Sequence, residues 1–142
     1  MHLTNIKKRR RNVAKLTEEM KALIANQQAF IATASPEGAP NIATKGSTRV
    51  FDDEHILFFE LTGGHTWENL QKNPKIAIAV VDRSKMQGYR FVGTAEIITT
   101  GELYAAAQKL AETLKIPIPP KAAVKVKVEE IYNLGRGGQK VS

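Results

Sequence analysis

The chain has 142 residues, of which 42% are hydrophobic and 25% are charged, a balance typical of one ordinary soluble globular domain. Its longest apolar run, at 76–81, has six residues, far fewer than the about 20 that a membrane-spanning helix requires. The chain has no cysteine, which excludes disulfide bonds, thiolate metal sites and a thiol nucleophile, and its three histidines lack metal-ligand spacing. The sequence therefore predicts a cytoplasmic protein without a metal site.

The net charge of +7 is concentrated at the N-terminus. Residues 1–17 contain six of the 21 basic residues and no acidic residue. The rest of the chain has 15 basic and 14 acidic side chains and is therefore nearly neutral. Five consecutive cations, at 7–11, are typical of a solvated arm, and contact with nucleic acid or another anionic surface is the alternative. We therefore divide the chain into a basic arm, residues 1–16, and a single domain, residues 17–142.

The apolar residues after the capping residue Thr17 have helical spacing and predict a first helix that ends near residue 27. Apolar and alternating stretches predict six strands, at 29–34, 39–50, 55–61, 75–82, 89–99 and 122–128. A short helix at 66–72 separates the third and fourth strands, and a longer helix from about residue 100 precedes the last strand. Because closure removes exposed sheet edges, we expect a mainly β (α+β) protein built as a closed or nearly closed six-stranded antiparallel barrel.

A basic segment rich in hydroxyl groups lies in the second predicted strand. It consists of Thr44, Lys45, Gly46, Ser47, Thr48 and Arg49. Lys45 and Arg49 are four residues apart, so both point to the same face if the strand is regular. Gly46 interrupts the strand, which suits a bulge or a close approach of the backbone to a ligand. A phosphate-binding face is one interpretation, and a half-exposed strand with a basic polar face is the other.

A second candidate segment is the glycine turn Gly63-Gly64, which leads directly into the short helix through His65 and Thr66. A helix N-terminus presents unpaired N–H groups and a partial positive charge, which together favour an anion. Thr66 is placed to be the N-cap, and this alone would explain it, whereas His65 could donate to a phosphate or simply lie on the loop. If both segments converge on one phosphate group, the leading hypothesis is a phosphorylated cofactor.

The sequence contains no recognisable acid–base or nucleophilic catalytic group. Asp52, Asp53 and Glu54 form a cluster that is more typical of a hairpin turn than of a carboxylate site. Catalytic residues therefore remain unassigned, and in an enzyme of this kind a cofactor would perform the chemistry.

Three segments carry a family pattern: FIATASPEGAPNIATKGSTRVFDDEHILFFE, GGHTWENLQKNPKIAIAVVD and GYRFVGTAEI. The most specific part is the spacing of Asn69-Leu70, Asn73-Pro74, Ala77 and Val80. With these segments, the chain from residue 17 to 134 resembles the FMN-binding split-barrel family related to pyridoxamine 5'-phosphate oxidase. The resemblance implies a split β-barrel and an FMN molecule held in a groove between the two subunits of a homodimer.

The resemblance also implies roles for particular residues. The segment 44–49 would line the flavin and reach its phosphate, the pair at 59–60 would border the ring, and the pair at 65–66 would meet the phosphate. The stretch around Gln87 would complete the site from the partner subunit. The residues implied to bind the cofactor are Thr44, Lys45, Gly46, Ser47, Thr48, Arg49, Phe59, Glu60, Gly64, His65, Thr66 and Gln87.

Two departures separate the chain from the biosynthetic oxidase of that family. The oxidase has an Arg-Lys pair where this chain has His65-Thr66, so phosphate binding would depend more on Lys45, Arg49 and backbone amides. Its substrate-binding C-terminal segment has no match in residues 133–142. The resemblance therefore implies an FMN-dependent oxidoreductase other than a true pyridoxamine phosphate oxidase, with a small-molecule donor and acceptor that the sequence does not identify.

Two alternatives to this function stay open. The first keeps the fold but replaces FMN with the deazaflavin coenzyme or haem. The second is a flavin-free binding or regulatory module whose basic arm contacts nucleic acid or an acidic partner.

Overall fold

The computed structural model describes residues 14–135 and 137–142, so the basic cluster at 7–11 lies outside the described residues. The elements in chain order are α1 (Glu18–Asn26), β1 (Ala29–Ala34), β2 (Pro40–Thr44), β3 (Arg49–Asp52), β4 (His55–Glu60), α2 (His65–Lys72), β5 (Lys75–Asp82), β6 (Gln87–Ile98), α3 (Gly101–Thr113) and β7 (Ala122–Asn133). The mainly β class with flanking helices is therefore confirmed. None of the described helices is both long and apolar enough to cross a membrane.

All seven described strands belong to one antiparallel sheet, in the order β2-β1-β5-β6-β7-β4-β3. The sheet has one strand more than predicted because the predicted strand at 39–50 breaks at residues 45–48. Its two halves, β2 and β3, lie at opposite edges of the sheet. Since a linker of four residues spans at most about 18 Å, the sheet must curl until these edges approach each other. The result is a barrel that is split between β2 and β3 and is not closed by hydrogen bonds.

The last strand is longer than predicted, because β7 continues to Asn133. Its pairing with β4 stops at Lys127, and the C-terminal residues occupy the edge beyond that point. The N–H of Ile131 donates to the carbonyl of Ser142 at 2.7 Å, and the N–H of Asn133 donates to that of Gln139 at 2.8 Å. The tail thus satisfies backbone groups that β4 leaves unpaired.

The barrel interior is filled by aliphatic and aromatic side chains, with Phe58, Ile78 and Phe91 fully buried. The first helix covers one end, and Thr17 is its N-cap as predicted, with Oγ1 accepting from the N–H of Met20 at 3.2 Å. Two residues that the sequence assigned to the arm, Ala14 and Leu16, contribute to this core and are only 1% and 5% exposed.

The family motif around Asn69 and Asn73 has a structural role in attaching α2 to the first hairpin. The Asn69 side chain donates to Thr33 Oγ1 at 3.1 Å, and the Asn73 side chain donates to the carbonyl of Ala34 at 3.2 Å. Between them, Leu70 is 3% exposed and packs into the core. Together these contacts hold α2 at the end of the barrel next to β1 and β2.

Candidate functional site

An open groove of about 520 Å³ lies at the split of the barrel, within the size range of small-molecule sites. Its walls come from the β2–β3 link, the end of β4, and the C-terminal end of α3. The lining residues are Thr44, Lys45, Gly46, Ser47, Arg49, Phe59, Glu60, Leu61, Thr62, Leu110, Leu114 and Ile116. Seven of the twelve residues predicted to bind the cofactor line this groove.

The floor of the groove contains an ion pair between Lys45 and Glu60. Lys45 Nζ lies 2.9 Å and 3.0 Å from the two carboxylate oxygens of Glu60, whose side chain is only 1% exposed. A buried carboxylate without a partner would be strongly destabilising, so Lys45 neutralises it. The charge of Lys45 is therefore directed first to Glu60, a partnership that the basic pattern of the segment did not predict.

Arg49 is the cation of this segment that faces the groove without such a partner. Its Nε donates to the carbonyl of Ser47 at 3.0 Å, and its guanidinium lies 5.0 Å from the centroid of the Phe59 ring. Among the described residues, no carboxylate forms a salt bridge with it. Because an arginine carries five N–H donors, most of its hydrogen-bonding capacity remains available to an anion in the groove.

The link that carries these residues is a tight turn rather than a regular strand. The N–H of Thr48 donates to the carbonyl of Lys45 at 3.1 Å, and its Oγ1 donates to the same carbonyl at 2.7 Å. The premise that Lys45 and Arg49 share a face of one regular strand is therefore wrong, although both line the groove. Thr48 itself holds the turn and does not line the groove.

Ser47 fixes the link against the end of β4. Its Oγ accepts from the N–H of Phe59 at 2.9 Å and lies 3.4 Å from the carbonyl of the same residue. At Gly46, in contrast, no atom of the described residues other than Gly46 and its two chain neighbours lies within 4 Å of the position that a Cβ would occupy. The space beside Gly46 is therefore open to a ligand in the groove.

The apolar wall of the groove was not recognised in the sequence. It consists of Leu61, Leu110, Leu114 and Ile116. Leu114, the C-cap of α3, is 57% exposed. The signal that could have revealed this wall is the continuation of the apolar stripe past the buried Ala107 and Ala111 to the end of the helix.

The first turn of α2 lines a different cavity, of about 410 Å³, through His65 and Glu68, whereas Gly63 and Gly64 do not line it. The helix begins at His65, and Gly64 is its N-cap with φ 127°, a conformation that favours glycine. The prediction that Thr66 is the N-cap is therefore wrong. Thr66 is 3% exposed, and its Oγ1 accepts from the Asn41 side chain at 3.2 Å, which makes it a packing residue.

His65 and Gln87 lie apart from the groove in the single chain. His65 is exposed, with Nδ1 3.6 Å from Glu68 Oε2, and lines the cavity beside α2. Gln87 begins β6 and lines a third cavity of about 500 Å³ with Gly88 and Asn133. Nine of the twelve predicted residues thus divide among three cavities of one subunit, and the other three, Thr48, Gly64 and Thr66, line none of these cavities.

The acidic cluster at residues 52–54 lies in the turn between β3 and β4, as its composition predicted. Asp52 Oδ1 accepts from the N–H of Glu54 at 2.8 Å and lies 2.7 Å from His55 Nδ1. Burial raises the pKa of Asp52, but the hydrogen bonds from Glu54 and His55 outweigh it and hold the pKa below its usual value. Within the described residues, no three His, Cys, Asp or Glu side chains cluster in a way that could hold a metal ion.

Comparison with known proteins gives close relatives over nearly the whole chain. The chain is 39% identical over 128 residues to an uncharacterised protein of Methanocaldococcus jannaschii, covering 89% of this chain and 85% of that one. A crystal structure of Group A Streptococcus HupZ is 46% identical with a TM-score of 0.78, covering 89% of this chain and 99% of HupZ. A structure of a putative pyridoxamine 5'-phosphate oxidase from Lactobacillus delbrueckii is 30% identical with a TM-score of 0.67, covering 82% and 93%.

More distant structures share the fold alone. They include an FMN-binding protein of Syntrophomonas wolfei at 19% identity, an F420 reductase at 23% and a haem-binding protein of Mycobacterium smegmatis at 19%. The family model for pyridoxamine 5'-phosphate oxidase matches residues 16–135, which is most of the chain. Together with the split barrel and its groove, this match shows that the chain belongs to the pyridoxamine 5'-phosphate oxidase family.

Proposed function

We propose that the protein is an FMN-binding oxidoreductase that passes electrons from a reduced donor through FMN to a small acceptor. The observation that carries this proposal is the groove at the split of the barrel, which combines an apolar wall with a polar link that ends in Arg49. When bound, FMN would supply the redox chemistry by accepting a hydride and passing electrons onward. The chain's own residues would bind and orient it.

The residues of the groove suit the two chemically different parts of FMN. Phe59, Leu61 and Ile116 present apolar surface to a flat ring system, while Thr44 and Thr62 offer hydroxyl groups. Arg49 supplies a cation whose guanidinium is directed by Phe59 and Ser47. The ammonium of Lys45 has three N–H donors, of which the Glu60 oxygens accept two, so one remains for the ligand.

The lining of the groove favours a flavin over haem. Haem iron in proteins is held by histidine, cysteine, methionine or tyrosine side chains. Among the described residues that line the groove, none is of these types. The deazaflavin coenzyme shares the ring and phosphate chemistry of FMN and is the remaining alternative within this fold.

We further propose that the functional unit is a homodimer. Ile42, Phe30 and Val81 are 67%, 41% and 41% exposed. The pairing of β2, β1 and β5 places them on one outward face with Ala77 and Ala79. A contiguous exposed apolar face is typical of an interaction site. A second copy is the proposed partner because the groove is open, and a subunit of this size cannot enclose a flavin ring.

A ligand titration tests the proposed cofactor. Flavin-free protein is titrated with FMN, riboflavin, the deazaflavin coenzyme and haem, and each dissociation constant is measured by fluorescence or absorbance. We expect FMN to bind more tightly than the other three ligands. Anaerobic addition of a nicotinamide donor should then bleach the flavin absorbance. Tighter binding of haem or deazaflavin would contradict the proposal.

A further inference from the structure

A separate cavity of about 280 Å³ lies on the outer face of the barrel, where β7 pairs with β4 on one side and β6 on the other. Its lining residues are His55, Thr94, Ala95, Glu96, Lys125 and Lys127. None of these six residues lines the groove at the split. The cavity is therefore a second candidate site, to which the flavin function assigns no role.

The strand pairing places the two lysines at the centre of this cavity. On β7 the side chains alternate between buried valines and the outward Lys125 and Lys127. Lys127 lies opposite His55 of β4 on one side and opposite Thr94 of β6 on the other. The close approach of β6 at this point requires Gly93, because a Cβ there would overlap the carbonyl oxygen of Lys127. The cavity is thus built by the register of three strands.

His55 is oriented by an acidic neighbour that does not line the cavity. Its Nδ1 lies 2.7 Å from Asp52 Oδ1, and its side chain is 23% exposed. Because an ionised carboxylate only accepts hydrogen bonds, Nδ1 is the donor in this contact, and Nε2 is the ring nitrogen that remains for a ligand. The Phe51 ring also contacts the imidazole edge-to-face, with 6.3 Å between the ring centroids. The imidazole is therefore held in one orientation.

The charges that line the cavity are mainly positive. Lys125 Nζ lies 4.5 Å from the centroid of the Phe51 ring, and Lys127 is exposed. Glu96 lies opposite Lys125 in the strand register and is the one carboxylate among the described lining residues. Neither lysine forms a salt bridge with any other described residue. Both ammonium groups are therefore available to an anion.

The charged residues around the cavity preserve this excess of positive charge. Glu129 accepts a hydrogen bond from Thr94 Oγ1 at 2.9 Å, and Asp53 forms an ion pair with Lys21. On the other side of Thr94, the exposed Lys75 of β5 lies opposite it in the register and adds a third ammonium group to this face. An anion in the cavity would therefore meet more positive than negative charge.

We propose that His55, Lys125 and Lys127 bind a phosphate group on the outer face of the barrel. The two ammonium groups donate to phosphate oxygens, and His55 Nε2 either donates as imidazolium or accepts from a P–OH group. A tetrahedral anion with several oxygens can use all three partners at once. The phosphate has two chemical sources, free inorganic phosphate or the monoester of a larger molecule. The proposal goes beyond the flavin function, because the groove takes no part in it.

The first arm of the test locates the anion by NMR. Isotope-labelled parent protein is titrated at constant ionic strength with inorganic phosphate and with the neutral ester trimethyl phosphate. Inorganic phosphate is expected to shift the amide signals of residues 55, 94–96 and 125–127, whereas trimethyl phosphate should shift none of them. Arg49→Ala removes a cation of the groove and should leave these shifts unchanged. Shifts confined to the groove, or lost in Arg49→Ala, would overturn the proposal.

The second arm compares variants with opposite expected effects on the dissociation constant of phosphate. The double variant Lys125→Ala with Lys127→Ala should weaken phosphate about fivefold or more, an expectation limited by the exposure of both lysines. Glu96→Gln should strengthen it about two- to fivefold, because it removes the carboxylate of the cavity. The matched control is Lys72→Ala with Lys115→Ala, two exposed lysines outside this cavity and the groove, and it should preserve the affinity.

The third arm tests the imidazole and distinguishes the two sources of phosphate. His55→Gln should weaken inorganic phosphate about two- to fivefold. Parent protein is then titrated with phenyl phosphate. Tighter binding of phenyl phosphate than of inorganic phosphate, with shifts of the Phe51 signals, would assign the site to a monoester. Equal or weaker binding would assign it to free phosphate.

The outcomes are independent of the flavin function, because no readout uses a flavin. Equal phosphate affinities of the parent, the double lysine variant Lys125→Ala with Lys127→Ala, and Glu96→Gln would overturn the proposal and leave the flavin site untouched. Failure of the parent to bind FMN would overturn the flavin function and leave this test intact. Unchanged amide spectra away from the cavity, with equal thermal unfolding midpoints, show that each variant is folded.

Discussion

Lys45 and Glu60 are joined across the groove by two contacts of 2.9 Å and 3.0 Å, and Glu60 is 1% exposed. The pair connects the β2–β3 link to the end of β4, so it holds the two sides of the split together. It also makes the groove floor nearly neutral. Arg49, which follows the link, forms no salt bridge with any carboxylate of the described residues. We therefore expect stability to depend mainly on Lys45 and ligand binding mainly on Arg49.

Lys45→Ala is expected to destabilise the protein, because it leaves the Glu60 carboxylate buried and unpaired. Removing one partner of a buried ion pair costs about 3 kcal/mol or more in the free energy of unfolding. The double variant Lys45→Met with Glu60→Gln should recover much of this loss, since no buried charge remains. Urea denaturation of the parent, Lys45→Ala and the double variant measures the effect. A Lys45→Ala protein as stable as the parent would show that Glu60 finds another partner.

Arg49→Ala is expected to weaken FMN about tenfold or more, because it removes a charge-assisted hydrogen bond worth roughly 1.5–3 kcal/mol. Riboflavin, which lacks the phosphate, should lose much less. Fluorescence titration of both flavins measures this asymmetry. Equal losses for the two ligands would indicate damage to the fold, and no loss for either would mean that Arg49 is only solvated surface.

Ile42→Glu is expected to disrupt the homodimer, because it places a charge in the exposed apolar face formed by β2, β1 and β5. Light scattering of the parent should give about twice the monomer mass of 15.7 kDa, and the variant should approach the monomer mass. Gln108→Glu, an exposed change on α3, is the matched control and should leave the dimer intact. A monomeric parent at micromolar concentration would contradict the dimer.

Deletion of residues 1–12 is expected to leave flavin binding and the thermal midpoint nearly unchanged, since the cations at 7–11 have no apolar residues among them to dock them. Deletion of residues 1–16 should be destabilising. It removes the buried Ala14 and Leu16, together with their hydrogen bonds to the carbonyls of Val128 and Asp53 at 3.0 Å and 2.7 Å.

The same pair of truncations tests the basic arm. Loss of bound flavin after deletion of residues 1–12 would show that the arm belongs to the site. Salt-sensitive DNA binding by the full chain, absent from that truncation, would favour the binding or regulatory alternative.

Most of the fold could be predicted because its signals are local. The cap at Thr17 and the alternation of Val124, Val126 and Val128 with two lysines each follow from a few neighbouring residues. The break of the second strand could not be predicted in the same way. It is set by the distant partners of β2 and β3, which pair with β1 and β4 at opposite edges of the sheet.

The sequence indicated which types of residue line the candidate site, but not which of them pair with each other. The segment at 44–49 indicated a polar surface, and the structure places most of it along the groove. The pairing of Lys45 with Glu60 depends on how the link folds against β4, fifteen residues further along the chain. The part played by α3 was missed because Leu110 belongs to an ordinary amphipathic pattern, which does not reveal that the helix ends beside a groove.

The central claim, that the groove at the split holds FMN, is tested most directly by cofactor selection. The protein is incubated with equal amounts of FMN, deazaflavin coenzyme and haem, freed of unbound ligand on a desalting column, and examined by absorption spectroscopy and by mass spectrometry of the released ligand. We predict a flavin spectrum in the parent, release of FMN, and a clear loss of both in Arg49→Ala. Retention of haem or deazaflavin instead of FMN, or equal FMN retention by Arg49→Ala, would contradict the claim.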